Sequence, residues 1–224
     1  MTDFYQFIED LDIDDIKTLE LVRQFMKNEV APIINDCWLK DEFPFKIVKY
    51  LHSLNIIGRS AVLTGLIVQE MGRVDPSIAT FYNIQNGLVI GSILKCGNLE
   101  QWKKWGFPLS SFDLIGCFAL TEPNSGSDAA EGLETVGKNY GDYYIINGKK
   151  KWVGNSTWCD ISIVWARNGG FIVDNKSEGF IVEKINDKFG LKVCQNAMIT
   201  FDGVRVPEES AVATGLRRGG ELDG

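Results

Sequence analysis

Gly116-Cys117-Phe118-Ala119-Leu120-Thr121-Glu122-Pro123-Asn124-Ser125-Gly126-Ser127-Asp128 is where this chain changes character. Residues 114–120 are an apolar run of strand length, and Pro123 stops it. Small residues at 124–127 then let the backbone come close to a ligand, with N–H groups and hydroxyls free to meet an anion. For an isolated Gly-Ser-Asp the plainer reading is a strand running into a polar turn.

On the N-terminal side of this stretch the pattern is helical. Ile13, Ile16, Leu19, Val22 and Met26 recur at helical spacing behind Asp12, Asp14 and Asp15, whose charges suit the positive end of a helix dipole. Pro32 is expected to close that helix. Pro44 opens a second one through Phe45, Val48, Leu51 and Leu54. Val62, Leu66, Gln69, Glu70 and Arg73 outline a third. Residues 78–94 are apolar on most faces, which predicts a buried fourth helix capped by Gly97. Trp102 and Trp105 follow on a short amphipathic piece, as packing anchors.

On the C-terminal side the pattern is β. Residues 143–146 and 149–153 flank Asn147-Gly148, which predicts a hairpin turn. Further strands are expected at 161–166, 179–182, 197–201 and 204–206, together a small antiparallel β-barrel or sandwich. The predicted class is α+β and multidomain. It comprises an N-terminal helical bundle over residues 1–115, a middle β domain over 116–209 and an unmatched, disordered tail over 210–224.

The 224 residues are 45% hydrophobic and 24% charged, an ordinary globular balance. A net charge of -7 argues against a nucleic-acid partner. Lys149-Lys150-Lys151 and Arg217-Arg218 are the densest positive runs, and both are assigned to solvated faces. Cys37, Cys96, Cys117, Cys159 and Cys194 are scattered without Cys-x-x-Cys spacing, and His52 is the only histidine. That pattern speaks against a metal site and for a reduced compartment. Asp3, Glu9, Asp10, Asp12, Asp14 and Asp15 precede the first lysine, unlike a secretory or mitochondrial presequence. Leu222-Asp223-Gly224 is not a peroxisomal address. No apolar run approaches the ~18 residues that span a membrane. A soluble, intracellular protein is expected.

Lys151-Trp152-Val153-Gly154-Asn155-Ser156 is a second motif. A tryptophan beside a cleft can pack its ring on a planar ligand, although a strand tryptophan is by default a core residue. The order of the Thr-Glu-Pro/Gly-Ser-Asp stretch, Asn147-Gly148-Lys149, Trp152-Val153-Gly154-Asn155 and Ile163-Val164-Trp165-Ala166-Arg167 resembles the acyl-CoA dehydrogenase and acyl-CoA oxidase family. The similarity is to its glutaryl-CoA dehydrogenase and plant-type short-chain acyl-CoA oxidase branch. Asp3-Phe4-Tyr5, Glu29-Val30-Ala31-Pro32, Glu42-Phe43-Pro44-Phe45, Gln195-Asn196 and Val204-Arg205-Val206-Pro207-Glu208-Glu209 extend it over most of residues 3–209. With the whole string matched, the functional reading of both motifs outweighs the plain one.

The resemblance implies FAD as cofactor, an acyl-CoA thioester as ligand, and α,β-desaturation, in which a carboxylate takes the α proton and the β hydrogen leaves as hydride. It implies that Phe118, Ala119, Leu120 and Thr121 line the flavin. Gly126 and Ser127 would meet the phosphate-bearing part of the ligands, with Ser127 also serving acyl-CoA. Trp152 would stack behind the ring, and the Val153-Gly154 backbone would face its reactive nitrogen. Many dehydrogenases have threonine where this chain has Gly154; the oxidase-like branch shares the glycine. Glu122 is implied to be structural. Arg73-Val74-Asp75 is followed by Ala79, where glutaryl-CoA dehydrogenases place an arginine for the distal carboxylate. A short, uncharged acyl chain follows, with Thr80 near its end.

Four departures from the family pattern accompany the match. The C-terminal helical bundle that supplies the catalytic glutamate is not found, so no catalytic residue is assigned and an inactive, truncated chain is expected. Gly58-Arg59-Ser60 replaces a longer glycine-rich loop. About one strand is missing between Lys184 and Asp187, which predicts an exposed sheet edge. Residues 210–224 match nothing. The alternative is a non-catalytic remnant that binds FAD or acyl-CoA, or associates with its own copies or a full-length homologue. By family the compartment is mitochondrial, peroxisomal or cytoplasmic.

Overall fold

The computed structural model describes residues 6–212; Asp3-Phe4-Tyr5 and the tail beyond Val212 lie outside the described residues. A 3-10 turn at Phe7–Asp10 leads into α1 (Ile13–Phe25). The Asp12 carboxylate accepts the Asp15 N–H at 2.8 Å, and Asp14 and Asp15 occupy the first turn, where the helix dipole favours negative charge. Pro32 does not close this helix. A π turn at Met26–Val30 carries the chain into α2 (Ala31–Lys40), with Pro32 in the first turn of the new segment. There its missing N–H leaves no bond unmade.

Short turns at Phe45–Ile47 and His52–Leu54 bracket α3 (Val48–Leu51). Side-chain oxygens of Ser60 and Asp75 then cap α4 (Ala61–Val74) and α5 (Pro76–Asn83). A π turn at Ile84–Ile90 joins α5 to α6 (Gly91–Cys96), which ends at Gly97 as expected. Ile78, Phe81, Tyr82 and Val89 on this run are fully enclosed. A reciprocal Asn98–Gln101 cap opens α7 (Leu99–Gln101), which passes through a π turn at Trp102–Gly106 into α8 (Phe107–Ser110). Trp105 is buried there.

The strands are β1 (Gly116–Ala119), β2 (Val136–Asn139), β3 (Tyr143–Val153), β4 (Ile161–Ala166), β5 (Gly169–Asp174), β6 (Phe180–Lys184), β7 (Ala197–Pro207) and β8 (Ala211–Val212), with a short α9 (Ala129–Gly132) after β1. They form two four-stranded sheets, ordered β1-β4-β5-β8 and β2-β3-β7-β6. Both sheets are open, and β6 lies at an edge. Every pairing is antiparallel except that of β1 with β4, which is parallel. The sheets meet at Phe171, whose ring lies 5.0 Å from that of Tyr144. A Cβ on Gly137 would sit 2.4 Å from the Phe171 ring, so the close approach needs glycine there.

Asn147-Gly148 does not turn the chain. β3 runs through it with a register slip between Ile146 and Gly148. The Asn147 side chain accepts the Gly203 N–H at 2.9 Å, and Gly148 takes φ 150°. The extra residue of this slip is on β7, where Asp202 and Gly203 (φ 67°) stand opposite Asn147 alone, so the bulge belongs to the partner strand and Asn-Gly runs through as extended chain. The β2–β3 turn falls instead at residues 140–142, where the Tyr140 N–H bonds the Tyr143 carbonyl at 2.9 Å. Lys150 is not on a solvated face: it is 0% exposed. Residues 211–212 are not tail but pair with β5.

The helical and β parts share one core. Trp158 stacks on Phe43 (4.9 Å) and on Phe81 (5.7 Å). Buried Gln85 accepts the Gly116 N–H at 2.9 Å and donates to the carbonyls of Leu109 and Leu114, each at 2.9 Å. One side chain thereby docks the first strand onto the helices.

Candidate functional site

The segment after β1 is stitched to the end of β3. The Leu120 carbonyl accepts from Lys150 Nζ at 2.8 Å, and the Thr121 carbonyl accepts the Lys151 N–H at 2.8 Å. Thr121 is thus held beside Lys151-Trp152. Between these two links sits Glu122. Its carboxylate takes Lys150 Nζ at 2.7 Å and the N–H groups of Glu134 (2.6 Å) and Thr135 (3.0 Å). Burial pushes the Glu122 carboxyl up, but Lys150 and the backbone donors outweigh it and hold the group below its usual range. Burial likewise lowers the Lys150 ammonium, with Glu122 offsetting part of the effect. As a buried ion pair with both carboxylate oxygens hydrogen-bonded, Glu122 has the setting of a structural residue, as the resemblance implies.

Beyond Pro123 the loop closes on itself. The Asp128 carboxylate accepts from Ser125 Oγ and the Gly126 N–H, both at 2.9 Å, and these bonds hold it below the usual carboxylate range. Gly126 and Ser127 are left exposed. Among the described residues no hydrogen bond engages the side-chain hydroxyls of Thr121 or Ser127.

A second register slip, between Lys150 and Val153, lifts Lys151 and Trp152 out of the ladder. Trp152 has φ 64° and is 53% exposed. Left-handed backbone at a bulky residue costs on the order of 1–3 kcal/mol, and such strain clusters at ligand sites. Its carbonyl accepts from Asn196 Nδ2 at 2.9 Å. Gly154 is buried, and a Cβ on it would lie 2.5 Å from Ile84 Cδ1 and 3.2 Å from Cys194 Sγ. A threonine here would have to displace Ile84. Asn155 donates to the Gly116 carbonyl at 3.3 Å, while its buried Oδ1 has no partner among the described residues.

Thr121, Trp152, Val153 and Gly154 therefore come together at the junction of β1 and β3. Ala119 is buried behind them, while Phe118 and Leu120 are half-buried. Thr80 stands apart on α5, its hydroxyl donating to the Pro76 carbonyl at 2.8 Å. Lys150 and the role of Asn196 were not foreseen. The signal for Lys150 was present in the two-residue alternation of β3, where Ile146, Gly148 and Lys150 share a face. Hollows of about 330 Å³ around Gln101 and Phe171, and about 520 Å³ along α4 at Gly65, lie away from this junction. Among the described residues no group of three or more His, Cys, Asp or Glu side chains could hold a metal ion. An exposed indole face, unpartnered hydroxyls and a small-residue loop suit a planar aromatic ligand carrying an anionic group.

Residues 14–113 match the family model described as acyl-CoA dehydrogenase, N-terminal domain, and residues 117–204 the model described as acyl-CoA dehydrogenase, middle domain. The mitochondrial short-chain specific acyl-CoA dehydrogenase of Mus musculus is 30% identical over 208 residues, covering 84% of this chain and 50% of its own length. An acyl-CoA dehydrogenase of Bacillus subtilis (strain 168) is 33% identical over 215 residues, covering 87% and 56%. Among solved structures, a glutaryl-CoA dehydrogenase from Mycobacterium smegmatis in complex with FADH2 superimposes with a TM-score of 0.88 at 30% identity, over 96% of this chain and 59% of that one. Butyryl-CoA dehydrogenase from Megasphaera elsdenii gives 0.84 at 27% identity, over 91% and 59%. The chain spans about half the length of the curated relatives it matches. No helix among the described residues is long and apolar enough to cross a membrane.

Proposed function

Because the chain belongs to the acyl-CoA dehydrogenase family, with its N-terminal and middle domains in order, we propose that it binds FAD and a short-chain acyl-CoA for α,β-desaturation. The observation that carries this reading is that Thr121, its hydroxyl unpartnered among the described residues, is bonded through its carbonyl to the N–H of Lys151, the neighbour of the exposed Trp152. FAD, when bound, supplies the acceptor for the β hydride. In this reading Trp152 covers one face of the ring and Thr121 offers a hydroxyl at its edge. Phe118, Ala119 and Leu120 form the wall, and the Val153-Gly154 backbone borders the ring. Gly126 and Ser127 meet phosphate, with Ser127 also serving acyl-CoA.

Ala79 is buried, Arg73 pairs with Glu70 at 3.6 Å, and Asp75 caps α5. No cation of that segment is thus offered to a distal carboxylate, which favours a short uncharged acyl chain with Thr80 near its end. Glu122 is committed to Lys150 and is not offered to the α proton. Following the family resemblance, the base is assigned to a glutamate of the C-terminal helical bundle, outside residues 6–212, and the described portion alone binds without turnover. The division into a helical part (1–115) and a flavin-binding β part (116–209) belongs to the same proposal. The sealed state of Glu122 also favours a second reading, a non-catalytic protein that binds FAD or acyl-CoA, by itself or with a full-length homologue.

The visible spectrum of the purified chain with added FAD, followed by anaerobic butanoyl-CoA, tests these readings. The expected result is a bound flavin that does not bleach, with Trp152→Ala weakening binding by about tenfold or more. Turnover after fusing the C-terminal domain of a close relative behind residue 209 would select the first reading, and continued inactivity with bound flavin the second. A flavin that bleaches without the fusion would overturn the assignment of the base. No bound flavin would overturn the first reading and reduce the second to binding of acyl-CoA or of a full-length homologue.

A further inference from the structure

Nothing intrinsic to tryptophan holds Trp152 where it is. Its φ of 64° is one that bulky residues avoid, and its indole is more than half exposed with the Lys151 ammonium 5.2 Å over the ring, so neither backbone preference nor close apolar packing fixes it. A polar chain from the segment between β6 and β7 does. The Trp152 carbonyl accepts from Asn196 Nδ2 at 2.9 Å, and Asn196 Oδ1 accepts from Lys188 Nζ at 2.7 Å. The same ammonium donates to the Leu191 carbonyl at 2.8 Å and to the Cys194 carbonyl.

An ammonium has three donors and no acceptor. Lys188 therefore dictates which end of the Asn196 amide faces it: the oxygen must, and the NH2 is left for Trp152. The Asn196 backbone is fixed independently, its N–H donating to the Cys194 carbonyl at 3.0 Å and its carbonyl accepting the Ile185 N–H at 2.9 Å. Cys194 of this segment also borders Gly154, so one loop supports both residues at the end of β3.

We propose that Asn196, oriented by Lys188, is a positioning residue that locks the left-handed Trp152 peptide and thereby aims the indole face at the planar ligand. The proposal deepens the flavin reading and rests on it for the identity of that ligand. Asn196→Asp separates positioning from mere loop closure. It keeps the acceptor for Lys188 and both backbone bonds, but sets an acceptor against the Trp152 carbonyl. Lys188→Met removes the ammonium that sorts the amide, whereas Lys188→Arg retains charge and donors.

In a chain labelled with ¹⁵N at its six indole nitrogens, the Trp152 cross-peak is the one lost in Trp152→Phe. Asn196→Asp and Lys188→Met are expected to shift or broaden that peak and leave the other five in place; Lys188→Arg leaves all six. The Kd for FAD should rise about tenfold in the first two variants, the scale of one lost hydrogen bond, and stay near wild type in the third. A Trp152 peak unmoved in both variants, or FAD affinity unchanged once the peak has moved, overturns the proposal. Should Asn196→Asp unfold and lose every peak, the Lys188 pair decides by the same criteria. A wild-type chain that binds no FAD, with the peak moving as described, overturns the flavin reading and leaves the positioning of Trp152 by Asn196 supported.

Discussion

Lys150 and Glu122 carry the most concentrated charge in the interior, with side chains 0% and 2% exposed and a 2.7 Å contact between them. Removing one partner of such a pair leaves the other buried and unmatched, which costs about 3–5 kcal/mol. Glu122→Gln should lose about that much stability at neutral pH, measured by denaturant unfolding, because Lys150 keeps hydrogen-bond acceptors but not its counter-charge. The pH dependence has a definite sign. The folded-state pKa of Glu122 lies below its ordinary value. Its contribution is therefore fully present above the usual glutamate range and is lost as pH falls through the folded value. Wild type should lose stability through that acid window faster than Glu122→Gln, and the two should converge once Glu122 is protonated. Parallel pH profiles, or a variant as stable as wild type at neutral pH, would show that the pair contributes nothing beyond its hydrogen bonds.

Gly148 illustrates how a single residue sets an element. In β3 it combines φ 150° with a position from which a Cβ would meet Thr135 Oγ1 at 2.3 Å and Thr135 Cα at 2.7 Å. Backbone strain and overpacking each cost about 1–3 kcal/mol, so Gly148→Ala should destabilise by about 2–5 kcal/mol. Gly203→Ala, also at positive φ but with open space around its Cβ, should cost less. Equal losses in the two variants, read from the same unfolding curves, would assign the effect to conformation rather than to the Thr135 contact. The β7 bulge opposite Asn147 also marks a limit of legibility. The alternation of β3 and the turn chemistry of Asn147-Gly148 were both visible, but choosing between a turn and a bulge needs the long partner strand β7, which is remote in sequence. The buried helix over residues 78–94, the acidic start of α1 and the stop at Gly97 were legible because their causes are local. The π turn that rescues Pro32 and the alliance of Asn196 with Trp152 were not, since neither leaves a periodic trace. The residues assigned to the flavin were singled out by their order and by resemblance, whereas Lys150 sits inside a charge run whose two-residue alternation is its one local signal.

At the scale of the molecule, the decisive feature is that the helical and β parts do not close their cores separately. Phe43 from the loop after α2 and Phe81 of α5 enclose Trp158 from the β part, and one apolar cluster runs from α1 through α5 to β1, β3, β4, β5 and β7. Gln85 adds a polar dock at the root of β1. A chain of this length could unfold in stages. A shared core opposes that, because releasing either part exposes apolar surface on both. Phe81 is 0% exposed, so Phe81→Ala should cost about 3–5 kcal/mol through the cavity it leaves. The loss should appear equally in far-ultraviolet dichroism, dominated by the helices, and in the ¹⁵N indole signals of Trp152, Trp158 and Trp165 in the β part. Both probes should give one coincident transition, displaced to lower denaturant without a change of slope. If the helical signal moved while the tryptophan signal stayed, the two parts would be independent folding units. The Trp152–Thr121 junction, reached through β1, would then owe its geometry to the β part alone.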